Sequence, residues 1–282
     1  MRKTIIITTI FFLLATPCFA DFRFAVIGDT MANNEDGINI EIMKIILEKI
    51  KSEKVDFIVV AGDMITGSVK SRVHMNRLKK WESIIKKYQV PFYIAVGNHE
   101  IESELSENIV RLVFEMPGNG PAGFKELVYS FDHKNTHFIA LDTNVFNNFH
   151  KIGGQQLEWL KEDLEKNKEK NIFVFGHEPA YPAHGHIGSS LDKYVSDRDR
   201  LWGVFKQYNI RAYFCGHEHL YNSSVHGGIY QIITGGGGAP LSAPEKGGFY
   251  NFVIVDVKSN GAIDVTVKDA EGSIRNNFSI EY

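Results

Sequence analysis

Five short apolar runs in this chain end in glycine, and each glycine is followed by an aspartate, an asparagine or a histidine. FAVIGD leads to Asp29, FIVVAGD to Asp63, FYIAVGNH to Asn98 and His99, IFVFGH to His177, and AYFCGHEH to His217 and His219. Carboxylates, a carboxamide and imidazoles, with no thiolate among them, make a hard-to-borderline donor set that suits Mn, Fe or Zn. One ion would use three or four of Asp29, Asp63, Asn98, His177, His217 and His219; the full set of six suits two ions that share a bridging carboxylate. Two ions about 3.5 to 4 Å apart can hold a hydroxide between them and clamp a phosphoryl group for in-line displacement, so the chemistry indicated is phosphoester hydrolysis.

The runs also say how such a set is assembled. Stretches rich in Val, Ile and Phe read as strands of a buried sheet, and the glycine permits the tight turn that leaves each one. Ligands gather at the carboxyl ends of parallel strands in open α/β sheets, so the five ends are expected to converge on one crevice. Helical stripes lie between them: Ile42, Ile46 and Ile50 with Met43 and Leu47; Leu78, Trp81, Ile85 and Tyr88; Leu157, Leu160 and Leu164; Leu201, Val204, Phe205 and Tyr208. These stripes read as packing, which leaves no cofactor role for Trp81, Trp159 or Trp202.

Strand alternating with helix implies right-handed crossovers onto a mainly parallel sheet. Leu127 to Asp132 and Thr136 to Asp142 read as two strands joined by a turn at His133 to Asn135. Tyr230 to Thr234, Phe249 to Val257, Ala262 to Asp269 and Ile274 to Ile280 read as a further run of strands, and hairpin connections such as Ser259 to Gly261 point to a second, antiparallel-edged sheet. The expectation is an α/β fold, a four-layer α/β/β/α sandwich of two mixed sheets flanked by helices. Gly235 to Gly238 mark either a close backbone approach to a ligand or a plain loop.

With 282 residues, 44% hydrophobic and 23% charged, the chain can bury a substantial core. A single domain over residues 21–282 is expected, because the five strand ends must meet. Residues 1–20 differ: Arg2 and Lys3 precede the apolar stretch Ile5 to Ala15, and Thr16, Pro17, Cys18, Phe19 and Ala20 follow. This pattern is that of a secretory signal, too short for a membrane span. Cleavage after Ala20 would give an exported protein, periplasmic or secreted, with no transmembrane span in the mature chain. Acylation at Cys18 is the alternative, and Pro17 directly before it argues against that. Cleavage takes away two basic residues and no acid, moving the formal charge from −3 to −5. An acidic surface gives no support to nucleic acid as the primary partner, and none is expected. Cys215 would then stand alone, which leaves no intramolecular disulfide and reads as a small core residue.

Taken in order, the motifs resemble those of the calcineurin-like metallophosphoesterases: GDT at Asp29, GDM at Asp63, GNHE at Asn98 to Glu100, GHE at His177 and GHEH at His217 to His219. The likeness runs from about Phe22 to Pro240, and within it GHEPAYPAHGHIG and ITGGGGAPL are similar to the purple-acid-phosphatase side of the family. The resemblance implies that Asp29, Asp63 and His219 hold a first metal ion and that Asp63, Asn98, His177 and His217 hold a second, with Asp63 bridging. It implies two divalent or trivalent ions, Mn, Fe or Zn. It gives His99 the role of protonating the leaving oxygen or stabilising phosphoryl charge, and makes Asn98, His99 and one of His184 and His186 substrate contacts. The implied partner is a small phosphorylated substrate and the implied reaction is hydrolysis of phosphomonoesters. A phosphodiesterase acting on nucleotides or lipid head groups, and a metal- or phosphate-binding relative without turnover, are the alternatives.

Two positions depart from the family pattern. Many members carry a metal-binding histidine two residues after the first aspartate, where this chain has Met31; the purple enzymes carry a tyrosine three residues after the second, where it has Thr66. The first ion is thus expected to be one protein ligand short, with water, Asn33 or Asn34 as substitutes. Pro117 to Lys125 and Ala183 to Ser190 are the segments expected to select the substrate.

Overall fold

The apolar runs become the interior strands of two sheets. The computed structural model describes residues 21–168 and 170–281, so the signal expected over residues 1–20 lies outside the described residues. The first half of the chain holds β1 (Phe22–Ile27), α1 (Ile40–Ser52), β2 (Phe57–Ala61), α2 (Ser71–Ile85), β3 (Phe92–Ala95), α3 (Ser106–Val113), β4 (Tyr129–His133) and β5 (Thr136–Ala140). The second half holds α4 (Gly154–Asn167), β6 (Asn171–Phe175), α5 (Val195–Gln207), β7 (Ala212–Cys215), β8 (Tyr221–His226), β9 (Ile229–Thr234), β10 (Asn251–Val257), β11 (Ile263–Asp269) and β12 (Ile274–Ile280).

One sheet runs β12-β11-β10-β1-β2-β3 and the other β4-β5-β6-β7-β9-β8. Both are mixed. In the first, β1, β2 and β3 are parallel and β10 to β12 are antiparallel; in the second, β5, β6, β7 and β9 are parallel, with β4 and β8 antiparallel at the edges. The α/β sandwich of two mixed sheets expected from the sequence is therefore the fold observed.

Four details differ. The strands from Phe249 onward were expected in the second sheet, but β10 pairs with β1 in the register Phe24↔Val255 and Val26↔Val253, so β10 to β12 complete the first. Strand β10 is buried along nearly its whole length, as a central strand must be, and β1 offers an apolar edge of matching length. Strand β8, YNSSVH, was not foreseen, because an edge strand of half-buried Asn and Ser residues lacks apolar alternation. Helix α3, at eight residues, is too short to show a full stripe, and Tyr88 falls in a 3-10 turn (Lys86–Tyr88) after α2 rather than on it.

Packing fills three layers of apolar contact. Phe24 lies between the sheets, stacked 5.4 Å from Phe57 and edge-on to Phe138 at 5.1 Å and Phe173 at 5.4 Å. Such ring pairs add about 0.5–1.5 kcal/mol each beyond simple burial. Helices α1 and α2 cover the first sheet through Ile46, Leu47, Ile50, Leu78 and Trp81; α4 and α5 cover the second through Leu157, Leu160, Leu164, Leu201 and Phe205. The glycine run packs closely against its neighbours in the protein. The Gly237 N–H donates to Gly28 O at 2.8 Å, and a Cβ at Gly237 would lie 2.3 Å from that oxygen. Asn39, the N-cap of α1, binds Gly238 O through Nδ2 at 2.8 Å, tying the run to the helix.

Candidate metal centre

All five glycine-terminated runs end at the same rim, so the first sheet contributes Asp29, Asp63 and Asn98 and the second contributes His177, His217 and His219. The turns that aim these side chains are tight. Asp29, Asp63 and His217 have left-handed φ angles of 58°, 50° and 70°, a conformation that costs a non-glycine residue on the order of 1–3 kcal/mol and is concentrated at functional sites. Gly97 and Gly216, which precede Asn98 and His217, give the facing carboxylates room: a Cβ at Gly97 would sit 2.2 Å from Asp63 Oδ1, and one at Gly216 2.1 Å from Asp29 Oδ2.

The side chains form two overlapping groups. Asp63, His177 and His217 offer ligand atoms within 4.8 Å of one another, as do Asp29, Asp63 and His219; Asp63 belongs to both. His177 Nε2 lies 3.3 Å from Asp63 Oδ2, 3.1 Å from Asn98 Oδ1 and 3.1 Å from His217 Nδ1, and His219 Nε2 lies 3.6 Å from Asp29 Oδ1. Main-chain donors fix the carboxylates. The His217 N–H is 3.1 Å from both oxygens of Asp29, and the His99 N–H donates to Asp63 Oδ1 at 3.0 Å. Carbonyls fix the imidazoles: Nδ1 of His177 donates to Ala61 O at 2.8 Å and Nδ1 of His219 to Pro240 O at 2.9 Å. A carbonyl only accepts, so Nδ1 carries the hydrogen and the neutral ring presents an Nε2 lone pair to the crevice, as a metal-binding histidine requires.

The electrostatics also call for cations. Burial holds Asp29 well above the usual carboxylate range, reinforced by Asp63 and opposed by His177. Burial acts on Asp63 too, but the imidazoles of His177, His99 and His217 outweigh it and hold that group below the usual range. Burial alone would neutralise His177; Asp63 and Asp29 overcome it and lift its pKa to about 10. His217 is held well below the ordinary imidazole value, first by burial and then by His177 and His186. Donors packed this closely compete for protons, and a set of carboxylates and imidazoles that each offer a lone pair once deprotonated fits divalent or trivalent cations.

The remaining sequence candidates fall in different places. His99 is half-buried, its Nδ1 3.5 Å from Glu102 Oε1. The His186 ring lies over His217 with centroids 4.0 Å apart, whereas the His184 side chain is exposed and its link to the site is a main-chain N–H on Glu218. Asn34 is no substitute ligand, because its amide closes a turn onto Ile38, with Nδ2 on Ile38 O at 3.0 Å and Oδ1 accepting the Ile38 N–H at 3.3 Å. Asn33 is exposed and Met31 buried. The Thr66 hydroxyl donates to Ala32 O at 2.7 Å, so its oxygen ties two loops together.

Sequence reasoning missed three glutamates. Glu100, Glu178 and Glu218 each follow a site histidine directly, and each is at most 1% exposed. Glu100 accepts the N–H groups of Asp63, Ile65 and Gly97 and so ties the ends of β2 and β3 together; burial and Asp63 push its pKa up to about 8. Glu178 accepts Asn144 Nδ2 at 2.7 Å and His150 Nδ1 at 2.8 Å, anchoring the loop after β5. The signal was present as the recurring H-E dipeptide in GNHE, GHE and GHEH.

Comparison with known proteins converges on one family. The family model for calcineurin-like phosphoesterases matches residues 22–221. Purple acid phosphatase 23 of Arabidopsis thaliana is 31% identical over 140 residues, covering 47% of this chain and 29% of that protein. Tartrate-resistant acid phosphatase type 5 of Oryctolagus cuniculus is 27% identical over 167 residues, covering 52% and 49%. The matched region thus spans half or less of either relative's length. The solved structure of purple acid phosphatase PPD1 from yellow lupin superposes with a TM-score of 0.73 at 16% identity, covering 93% of this chain and 54% of that one, a likeness of fold.

Proposed function

The chain belongs to the calcineurin-like phosphoesterases, and on that footing we propose that it is an exported two-metal hydrolase of small phosphomonoesters. The observation that carries this reading is the sharing of Asp63 between two ligand groups, one completed by Asp29 and His219 and the other by His177 and His217. Asn98 joins the second group through its Oδ1, 3.1 Å from His177 Nε2. When bound, the two ions supply Lewis acidity toward a phosphoryl oxygen and activate water for attack.

The protein's own part follows from its geometry. Asp63 is held in register by the His99 N–H, so the residue that positions the shared carboxylate also carries a half-buried imidazole at the crevice. In the proposed reaction water attacks phosphorus, the bond from phosphorus to the ester oxygen breaks, and His99 gives its proton to that oxygen as it leaves. The products are the alcohol and inorganic phosphate. His186, lying against His217, contacts the phosphoryl group beside Asn98 and His99, while the exposed His184 ring is left at the rim.

The likeness to relatives named as acid phosphatases supports monoesters over diesters. Export rests on residues 1–20 and is tested by the N-terminus of the protein recovered outside the cytoplasm, expected at Asp21. Among the described residues, no helix is long and apolar enough to cross a membrane. The deciding experiment offers mono- and bis-p-nitrophenyl phosphate to metal-stripped protein spanning 21–282, with Mn, Fe or Zn restored. Metal-dependent turnover with preference for the monoester is expected. Preference for the diester would overturn the substrate assignment, and bound metal without turnover on either ester would overturn the enzyme.

A further inference from the structure

Glu218 stands between His217 and His219, yet its carboxylate is spent on another segment. It accepts the main-chain N–H groups of four consecutive residues: Ala183 on Oε2, and His184 at 2.7 Å, Gly185, and His186 at 3.2 Å on Oε1. Successive N–H groups converging on one anion form a nest, and hydrogen bonds to a carboxylate are about twice as strong as neutral ones. Here an internal side chain, brought in from the end of β7, fills that nest.

The last of the four donors is His186, whose ring lies 4.0 Å from that of His217, centroid to centroid. Two adjacent residues therefore hold His186 at two points, Glu218 through the main chain and His217 against the ring. On its other side the His186 carbonyl accepts from the Ser189 N–H at 3.0 Å and from the Ser190 hydroxyl at 3.2 Å. The next residue, Ile187, is 68% exposed, so the loop is fixed at His186 and open beyond it.

Building on the phosphoester-hydrolase reading, we propose that Glu218 is a positioning residue that seats the His186 ring over the metal crevice, where it meets the substrate's phosphoryl group. Glutamine fits the space but loses the charge and turns an amide N–H₂ toward a main-chain N–H donor. Aspartate keeps the charge on a stem one methylene shorter.

The test compares Glu218→Gln, Glu218→Asp, His186→Ala and the double variant Glu218→Gln/His186→Ala in the metal-loaded protein. It reads KM, kcat, affinity for inorganic phosphate, metal content and amide exchange at 183–186. Glu218→Gln is expected to raise KM and weaken phosphate binding about tenfold, by as much as His186→Ala, with little change in kcat. The double variant should be no worse than either single one, metal content unchanged, amide exchange faster, and Glu218→Asp intermediate. Additive losses, an unchanged KM alongside faster exchange, or loss of metal would overturn the assignment. Should Glu218→Gln fail to fold, Glu218→Asp decides: an unchanged KM and phosphate affinity there would refute the role. If the wild type hydrolyses no ester, the phosphoesterase reading fails by itself, and phosphate affinity across the same variants still tests the seating of His186.

Discussion

Nε2 of His177 and Nδ1 of His217 face each other at 3.1 Å across the buried floor of the crevice. The other nitrogen of His177 is committed to Ala61 O, so the facing position of the neutral ring is a lone pair, and a proton or a cation must mediate the contact. The nearby carboxylates decide how tightly that place is filled: against the effect of burial, Asp63 and Asp29 lift His177 to a pKa of about 10. Metal must displace the proton. Calorimetric titration of the stripped protein at pH 7 in buffers of different ionisation enthalpy should therefore show release of at least about one proton as the site fills. Binding without proton release would contradict the arrangement.

Removing His217 or Asn98 tests the donor set directly. Asn98→Ala or His217→Ala should lower turnover more than about a hundredfold while leaving the far-ultraviolet spectrum unchanged, because both side chains stand at strand ends outside the apolar layers. Undiminished activity in either variant would sink the metal assignment.

The first ion's surroundings yield a spectroscopic prediction and a gain of function. Thr66 stands where a tyrosinate would give colour, and its hydroxyl is bound to Ala32 O. Iron-loaded protein should therefore show no visible charge-transfer band. Met31→His restores a nitrogen donor beside Asp29 and should raise occupancy of the first site under limiting metal, as read by elemental analysis; occupancy equal to wild type would show that position 31 cannot reach the ion.

A pH-dependent cost sits away from the ligands. Asp142 is fully buried, one oxygen accepting the Asn144 N–H at 2.8 Å and the other without a partner among the described residues. Burial, aided by Glu107 and Glu178 and opposed by the Asn144 N–H, lifts its pKa to about 7. The folded value exceeds the unfolded one of about 3.9, so the stabilisation is complete below pH 4 and is lost as the pH rises through 7. Asp142→Asn cannot ionise. Its stability relative to wild type, measured by denaturant unfolding, should grow between pH 4 and pH 8 by up to about 4 kcal/mol, the equivalent of the pKa shift. A constant difference across that range would refute the assignment.

What was legible in the chain was local. Glycine followed by Asp29, Asp63, Asn98, His177 or His217 marks a strand end and its cargo within a few residues, so the meeting of these side chains at one rim and the sandwich could be read from the chain. Sheet membership could not, because the pairing of β10 with β1 joins Val255 to Phe24 across most of the chain and alternation says nothing about the partner. Glu218 was passed over for a related reason: a charged residue after a ligand histidine reads as solvated until folding brings four N–H groups from residues 183–186 against it. Asn34 misled in the opposite sense, being a plausible donor whose amide is used up by Ile38, four residues away.

The donors come from two sheets that no strand bridges: Asp29, Asp63 and Asn98 lie on one side of the phenylalanine layer and His177, His217 and His219 on the other. Their spacing is consequently set by how Phe24 seats among Phe57, Phe138 and Phe173. Affinity for ions bound here would be a caliper on the thickness of the sandwich, and an ion held by both halves would be a rivet across the core rather than a passenger at its rim.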